Sequence, residues 1–132
     1  MGNVAYLGLL PYAESLALIK GADIALVPLT ANRYNDPALP SKVFDYCFAE
    51  TPILASAGSS LKKFVEGNRI GFCVDPENVR RLAQKIGEMS KMPKEELKNM
   101  GRRGRRLVEK TYNRRVQAEK LEKILRELVG VD

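Results

Sequence analysis

Short apolar runs alternate with helix-patterned stretches between residues 3 and 90. That alternation restricts the fold more than any single motif. Residues 3–7 (NVAYL) read as a strand running into Gly8. Residues 9–23 read as loop, helix and helix stop, with Leu16, Leu18 and Ile19 on the apolar face and Gly21 at the end. Residues 24–29 (IALVPL) are the continuous apolar run expected of a strand covered on both faces. Pro52–Ala55 form a third strand, AGSS (57–60) supplies a turn and an N-cap, and Leu61, Phe64 and Val65 give one face of a helix closing at Gly67. Residues 71–74 (GFCV) are a fourth strand; Asp75 and Pro76 then fit the N-cap and first position of a helix whose buried face is Val79, Leu82, Ala83 and Ile86. Strands alternating with helices imply right-handed crossovers, hence an α/β protein with about four parallel strands and helices on both faces. Two further helices close it, at residues 94–110 and 114–129. Their apolar faces are Leu97, Met100, Leu107 and Val108 in the first, and Val116, Leu121, Leu125 and Leu128 in the second. Gly101 and Gly104 permit a close backbone approach in the first of them.

In such a sheet every strand-to-helix loop leaves at the carboxyl edge, where ligands bind. Gly8–Tyr12, Leu29–Pro40, Ala57–Ser60 and Asp75–Pro76 gather there, with Pro37–Asp45 in the middle. The segment TANRYNDPALP (30–40) is a long, turn-rich loop, and loops of that length in small domains are usually functional. It leads into Ser41, a good N-cap, followed by Lys42 and Asp45 on the first helical turn. Free N–H groups at a helix start attract phosphate, so a nucleotide site is one reading. A capping serine beside two solvated charges is the other.

At 132 residues the chain is one domain with room for a core, and 45% hydrophobic against 29% charged residues fits a folded protein. No apolar run is long enough to span a membrane and no signal peptide is recognisable, so the cytoplasm is the expected location. The chain has no histidine, which excludes a His-based zinc site or catalytic triad. Cys47 and Cys73 show no metal or redox spacing and read as packing residues. The +6 charge lies wholly in residues 71–132, with sixteen basic against ten acidic residues. The GRRGRR run (101–106) has Glu95, Glu96 and Glu109 nearby and lacks aromatics, so it reads as a solvated helix face and no nucleic-acid partner is expected. Abundant Lys, Arg and Glu on these helices are thermophile-like.

The succession of GADIALVPL (21–29), PSKVFDYCFAETPILAS (40–56), GSSLKKFVEGNRIGFCVDPENVRRLAQKI (58–86) and two closing helices resembles the C-terminal, donor-binding half of GT-B glycosyltransferases. The likeness is to the retaining enzymes of family 4 and covers residues 4–128. It implies a Rossmann-like sheet that is half of a GT-B fold, and a nucleotide-sugar donor such as a UDP- or GDP-sugar, with no metal. In that family two acidic residues with seven between them flank the loop-helix junction, and the second, matched by Asp45, receives the ribose hydroxyls. The backbone before it, here Leu39, Pro40, Ser41 and Lys42, meets the diphosphate, and the Lys42 ammonium is placed either to join it or to serve structure. The first acidic position falls on Pro37, so the sugar contact expected there is missing or is supplied by Asp36 or Asn35. Glu50 stands where a glycine is common after the helix, and Lys63 where an acid is frequent. No catalytic residue is assigned. The resemblance also implies that the acceptor domain and the opening strands of the donor domain, with their diphosphate-neutralising cations, are absent, so the chain alone is expected not to turn over. The alternative is a non-catalytic half-Rossmann module. It would self-associate, or dock a missing N-terminal domain, through a sheet edge at Val4–Leu7 or Ile24–Val27. Membrane association is expected to be peripheral at most.

Overall fold

Ile53–Ser56 (β2) is buried at all four positions and forms the middle of a parallel sheet. A computed structural model describes residues 2–130. In it Ala25–Pro28 (β1) and Gly71–Val74 (β3) flank β2 in register, Ala25 and Gly71 both opposite Ile53. Gly71 has to be glycine: a Cβ there would sit 1.8 Å from the Ile53 carbonyl oxygen.

Helices cover both faces. On one side Lys42–Phe48 (α2) and Ser59–Gly67 (α3) bring Val43, Cys47, Leu61, Phe64 and Val65 against Val27, Ile53, Ala55 and Cys73. On the other, Val79–Ser90 (α4, the helix Tyr12–Gly21 being α1) and the start of Lys94–Leu107 (α5) place Met89 and Leu97 against Leu54 and Val74. Each such side chain taken from water contributes about 1.5–3 kcal/mol before entropy is set against it.

Helix α5 lies against the end of α2 through its two glycines. A Cβ at Gly101 would meet the Glu50 carbonyl oxygen at 1.8 Å, and one at Gly104 would meet Cys47 at 3.3 Å. Glu50 itself turns the chain with φ +61°, the left-handed conformation that favours glycine. Arg105 lies over the Phe48 ring at 3.9 Å and donates to the Phe48 carbonyl at 2.8 Å, closing the end of α2. After α5 the helical ladder widens into a π-type turn, Val108–Tyr112. It buries Val108 and sets the Tyr112 ring against Phe44 and Phe64, with centroids 5.3 and 5.6 Å away. A final helix, Arg114–Val129 (α6), is capped by the Asn113 side chain, which accepts from the Val116 amide.

The structure departs from the sequence expectations at several points. The sheet has three strands, not four: Val4–Leu7 forms no strand and pairs with nothing among the described residues, and Val4 and Leu7 lie exposed. β1 is covered on one face only, because Ala25 and Val27 point inward while Leu26, 42% exposed, meets no covering helix. Gly21 and Gly67 do end their helices, as expected. Within the AGSS turn it is Gly58 that occupies the N-cap of α3. Asp75–Asn78 forms a turn with Glu77 at φ +63°, so α4 starts later and Asn78 caps it by accepting from the Arg81 amide. The buried side of α4 runs through Leu82 and Met89, leaving Val79 76% exposed and Ala83 and Ile86 exposed as well. The first closing helix ends at Leu107 and gives way to the π-type turn. No residue of α6 is buried, and Leu121, Leu125 and Leu128 face outward.

Candidate functional site

The loop between β1 and α2 is organised by its own asparagines. The Asn32 carboxamide oxygen accepts the Tyr34 and Asn35 amides at 3.0 and 2.9 Å, while Asn35 Nδ2 donates to the Thr30 carbonyl at 3.0 Å. Asn35 thus holds the loop by its side chain. Asp36 reaches across to α3, where its Oδ1 accepts the Ser59 amide at 2.9 Å. Its carbonyl accepts the Ser60 amide at 3.3 Å. Only glycine at 58 leaves room for this, since a Cβ there would fall 1.9 Å from Asp36 Oδ1. The carboxylate therefore caps the first amide of α3 from outside the AGSS turn. Residues from the loops that follow all three strands border, with this latch, an open pocket of about 340 Å³ lined by Thr30, Ala31, Asn32, Arg33, Asp36, Gly58 and Pro76.

The loop then closes onto the core. Leu39 packs against the main cluster, and the Pro40 carbonyl accepts the Val43 amide at 3.0 Å. Ser41 has helical dihedrals, its hydroxyl caps nothing, and its carbonyl takes the Phe44 amide at 3.0 Å. The expected serine cap is therefore absent, because a tight turn from Pro40 and Ser41 already satisfies the first helical amides. Lys42 is exposed, and its ammonium pairs with no acid among the described residues.

Asp45 is half-buried one turn into α2. Its Oδ1 accepts the Tyr12 hydroxyl at 2.9 Å from the first residue of α1. This contact raises the Tyr12 pKa, first through the hydrogen bond to the carboxylate and then through its charge. Burial, with the same carboxylate's charge behind it, raises that of Tyr46, which lies beneath. Tyr12 is the residue the sequence reading placed in an edge loop and gave no role; its partner stands 33 positions away, and no spacing rule links them.

The expected site residues thus fall into two groups at one edge. Asp36 lines the pocket and forms its latch, Asn35 holds the loop without lining the pocket, and Pro37 is exposed on the same loop; Leu39 and Pro40 anchor the turn; Ser41, Lys42 and Asp45 start α2 beside Tyr12. Elsewhere the chemistry is muted. Burial pushes the Cys47 thiol up to about 12, so it is no nucleophile at neutral pH. Among the described residues no three His, Cys, Asp or Glu side chains cluster as a metal site requires. In the GRRGRR run Arg102 pairs with Glu95, Arg103 donates to the Arg69 carbonyl, and Arg105 pairs with Glu109. No helix among the described residues is long and apolar enough to cross a membrane.

A parallel sheet with helices on both faces and its polar loops gathered at the carboxyl edge defines a Rossmann-like α/β domain. The chain belongs to the family described as Glycosyl transferases group 1, which matches residues 2–107. It is similar to the "Putative colanic acid biosynthesis glycosyltransferase WcaL" of Escherichia coli strain K12, with 26% identity over 122 residues, 92% of this chain and 30% of that protein. The protein of the same description from Salmonella typhimurium strain LT2 is 23% identical over 119 residues, 89% of this chain and 29% of that protein. The chain thus spans about 30% of the length of the curated relatives it matches. None of the solved structures matches it.

Proposed function

We propose that this chain is the donor-binding part of a retaining, family 4 glycosyltransferase of the GT-B type, and that it binds a nucleoside diphosphate sugar at the carboxyl edge of the sheet. The observation that carries this is Asp45: a carboxylate at the edge, with Oδ1 on Tyr12 and Oδ2 making no hydrogen bond among the described residues. A carboxylate accepts two hydroxyl donors in plane, which suits a ribose diol. Lys42, exposed one turn earlier, meets the diphosphate. The sugar enters the pocket beside Asn35, Asp36 and Pro37, with Arg33 at its rim. No metal takes part in this reading. Calorimetric titration with UDP, GDP and their sugars tests it. Asp45→Ala is expected to weaken ribonucleotide binding strongly, and a variant that binds like the wild type overturns the assignment.

Transfer itself requires stabilising charge on the departing diphosphate. Arg33 and Lys42 are the cations this edge offers, and the relatives carry more than twice the length represented here. The chain alone therefore binds but does not turn over; sugar transfer by the purified chain would refute this. The unpaired outer edge of β1, with Leu26 exposed on the strand, favours a second reading: a non-catalytic module that self-associates there. A stable dimer by analytical ultracentrifugation, with no nucleotide binding, would select that reading.

A further inference from the structure

We propose that Tyr12 is a positioning residue for nucleotide recognition, fixing the Asp45 carboxylate so that its second oxygen faces the ribose. The proposal rests on the reading of Asp45 as the ribose acceptor. The terminal torsion of an aspartate is broad and nearly two-fold, so a carboxylate with no partner presents its oxygens in many orientations. Here a single donor removes that freedom. The Tyr12 hydroxyl lies 2.9 Å from Oδ1, a short charge-assisted contact, and Oδ2 is left open.

The surrounding structure argues that this bond serves the site more than the fold. Helix α1 buries none of its residues, and Tyr12 is 65% exposed, so no packing term requires the ring to lie where it does. The other end of α1 is held separately, where Thr51 Oγ1 donates to the Ile19 carbonyl at 2.7 Å. Tyr12 is therefore free to be chosen for its hydroxyl. A phenol donates once and still accepts, so Tyr12 Oη also offers an acceptor to the second ribose hydroxyl. The pair together reads a diol, which neither group alone orients.

The experiment compares UDP, GDP and their 2′,3′-dideoxy analogues on the wild type, Tyr12→Phe, Asp45→Ala and the double variant. Tyr12→Phe keeps the ring and is expected to melt as the wild type does. It should weaken the ribonucleotide about ten- to a hundredfold, the effect of one hydrogen bond to a charged group, and leave the dideoxynucleotide unchanged. In the Asp45→Ala background it should do nothing further. Equal loss on both nucleotides, or no loss on either, overturns the proposal.

Asp45→Ala separates the two levels of the argument. If it leaves the preference for ribose over dideoxyribose intact, or if the wild type binds no nucleotide, the Asp45 reading falls and the Tyr12 proposal with it. If the preference vanishes with Asp45→Ala but survives Tyr12→Phe, the Tyr12 proposal alone falls. A ligand-free readout completes the test: with ¹³C-tyrosine labelling, the Tyr12 Cζ resonance should move on Asp45→Asn. A resonance that stays still would show that the hydroxyl does not hold the carboxylate.

Discussion

Replacing Gly101 with alanine should destabilise the protein by about 2 kcal/mol, although alanine is the better helix former. Two terms oppose each other. In a helix interior alanine gains about 1 kcal/mol over glycine. Against that, the new Cβ would lie 1.8 Å from the Glu50 carbonyl oxygen and 2.5 Å from its carbon, both backbone atoms with no rotamer to yield. The contact must open by about 1.2 Å merely to reach the 3.0 Å that real Cβ atoms respect. Glu50 is held at φ +61° between α2 and β2, so the segment that would have to move is already constrained. Overpacking of this kind costs about 1–3 kcal/mol, and an immovable backbone puts Gly101 at the upper end. Two other helical glycines are internal controls. Gly104 would meet Cys47 atoms at 3.3 and 3.4 Å, a tight contact that about cancels the propensity gain and leaves the variant near neutral. Gly87 in α4 has nothing within 4 Å, and its alanine variant should gain the full amount of about 1 kcal/mol. Urea unfolding of the three variants, compared at equal m, reads the order directly. If Gly101→Ala proves as stable as Gly87→Ala, the close packing of α5 on the Glu50 turn is wrong.

Glu50→Gly should stabilise the protein by about 0.5–1 kcal/mol, since relief of the left-handed strain outweighs the added freedom of the unfolded chain; a lower urea midpoint would contradict this. Asp36→Ala should cost about 1 kcal/mol by uncapping α3, with Asp36→Asn recovering most of it; equal melting of all three proteins would deny the latch. Cys47, held protonated in the fold up to about 12 against an ordinary 9.0, makes stability pH-dependent on the alkaline side. Its contribution is whole below 9.0, where both states keep the proton, and is lost as pH climbs toward about 12, because the unfolded thiol ionises first. The stability difference between wild type and Cys47→Ala should therefore narrow over that window, and a constant difference would rule the linkage out.

Much of the fold was legible because it follows from periodicity. β2 and β3 appear as apolar runs bounded by turns, and α3 shows its buried face at Leu61, Phe64 and Val65. Gly101 and Gly104 were readable as contact residues, since two glycines inside a helix carry a cost that only close packing offsets. Other features depended on neighbours that a local pattern does not contain. Val4–Leu7 has strand composition but no partner strand among the described residues, and α6 has an apolar stripe that none of them covers. Asp75–Pro76 carried a good helix-start signature, yet Asn78 took the cap once Glu77 had turned the chain. At the site, the location of the edge could be read from the order of elements. The side-chain contacts could not: Asp36 to Ser59 spans 23 positions and Tyr12 to Asp45 spans 33, and such pairs leave no periodic trace.

Because α1 buries nothing and is pinned near each end by one side-chain hydrogen bond, its amides should exchange with solvent long before those of β2. The two halves of the candidate ribose contact therefore belong to different kinetic layers. Asp45 rides on α2, which Phe44 and Cys47 lock into the core, while Tyr12 rides on an outer helix that opens on its own. A nucleotide bridging the two would act as a clasp, slowing exchange along α1 while leaving the sheet's protection as it was.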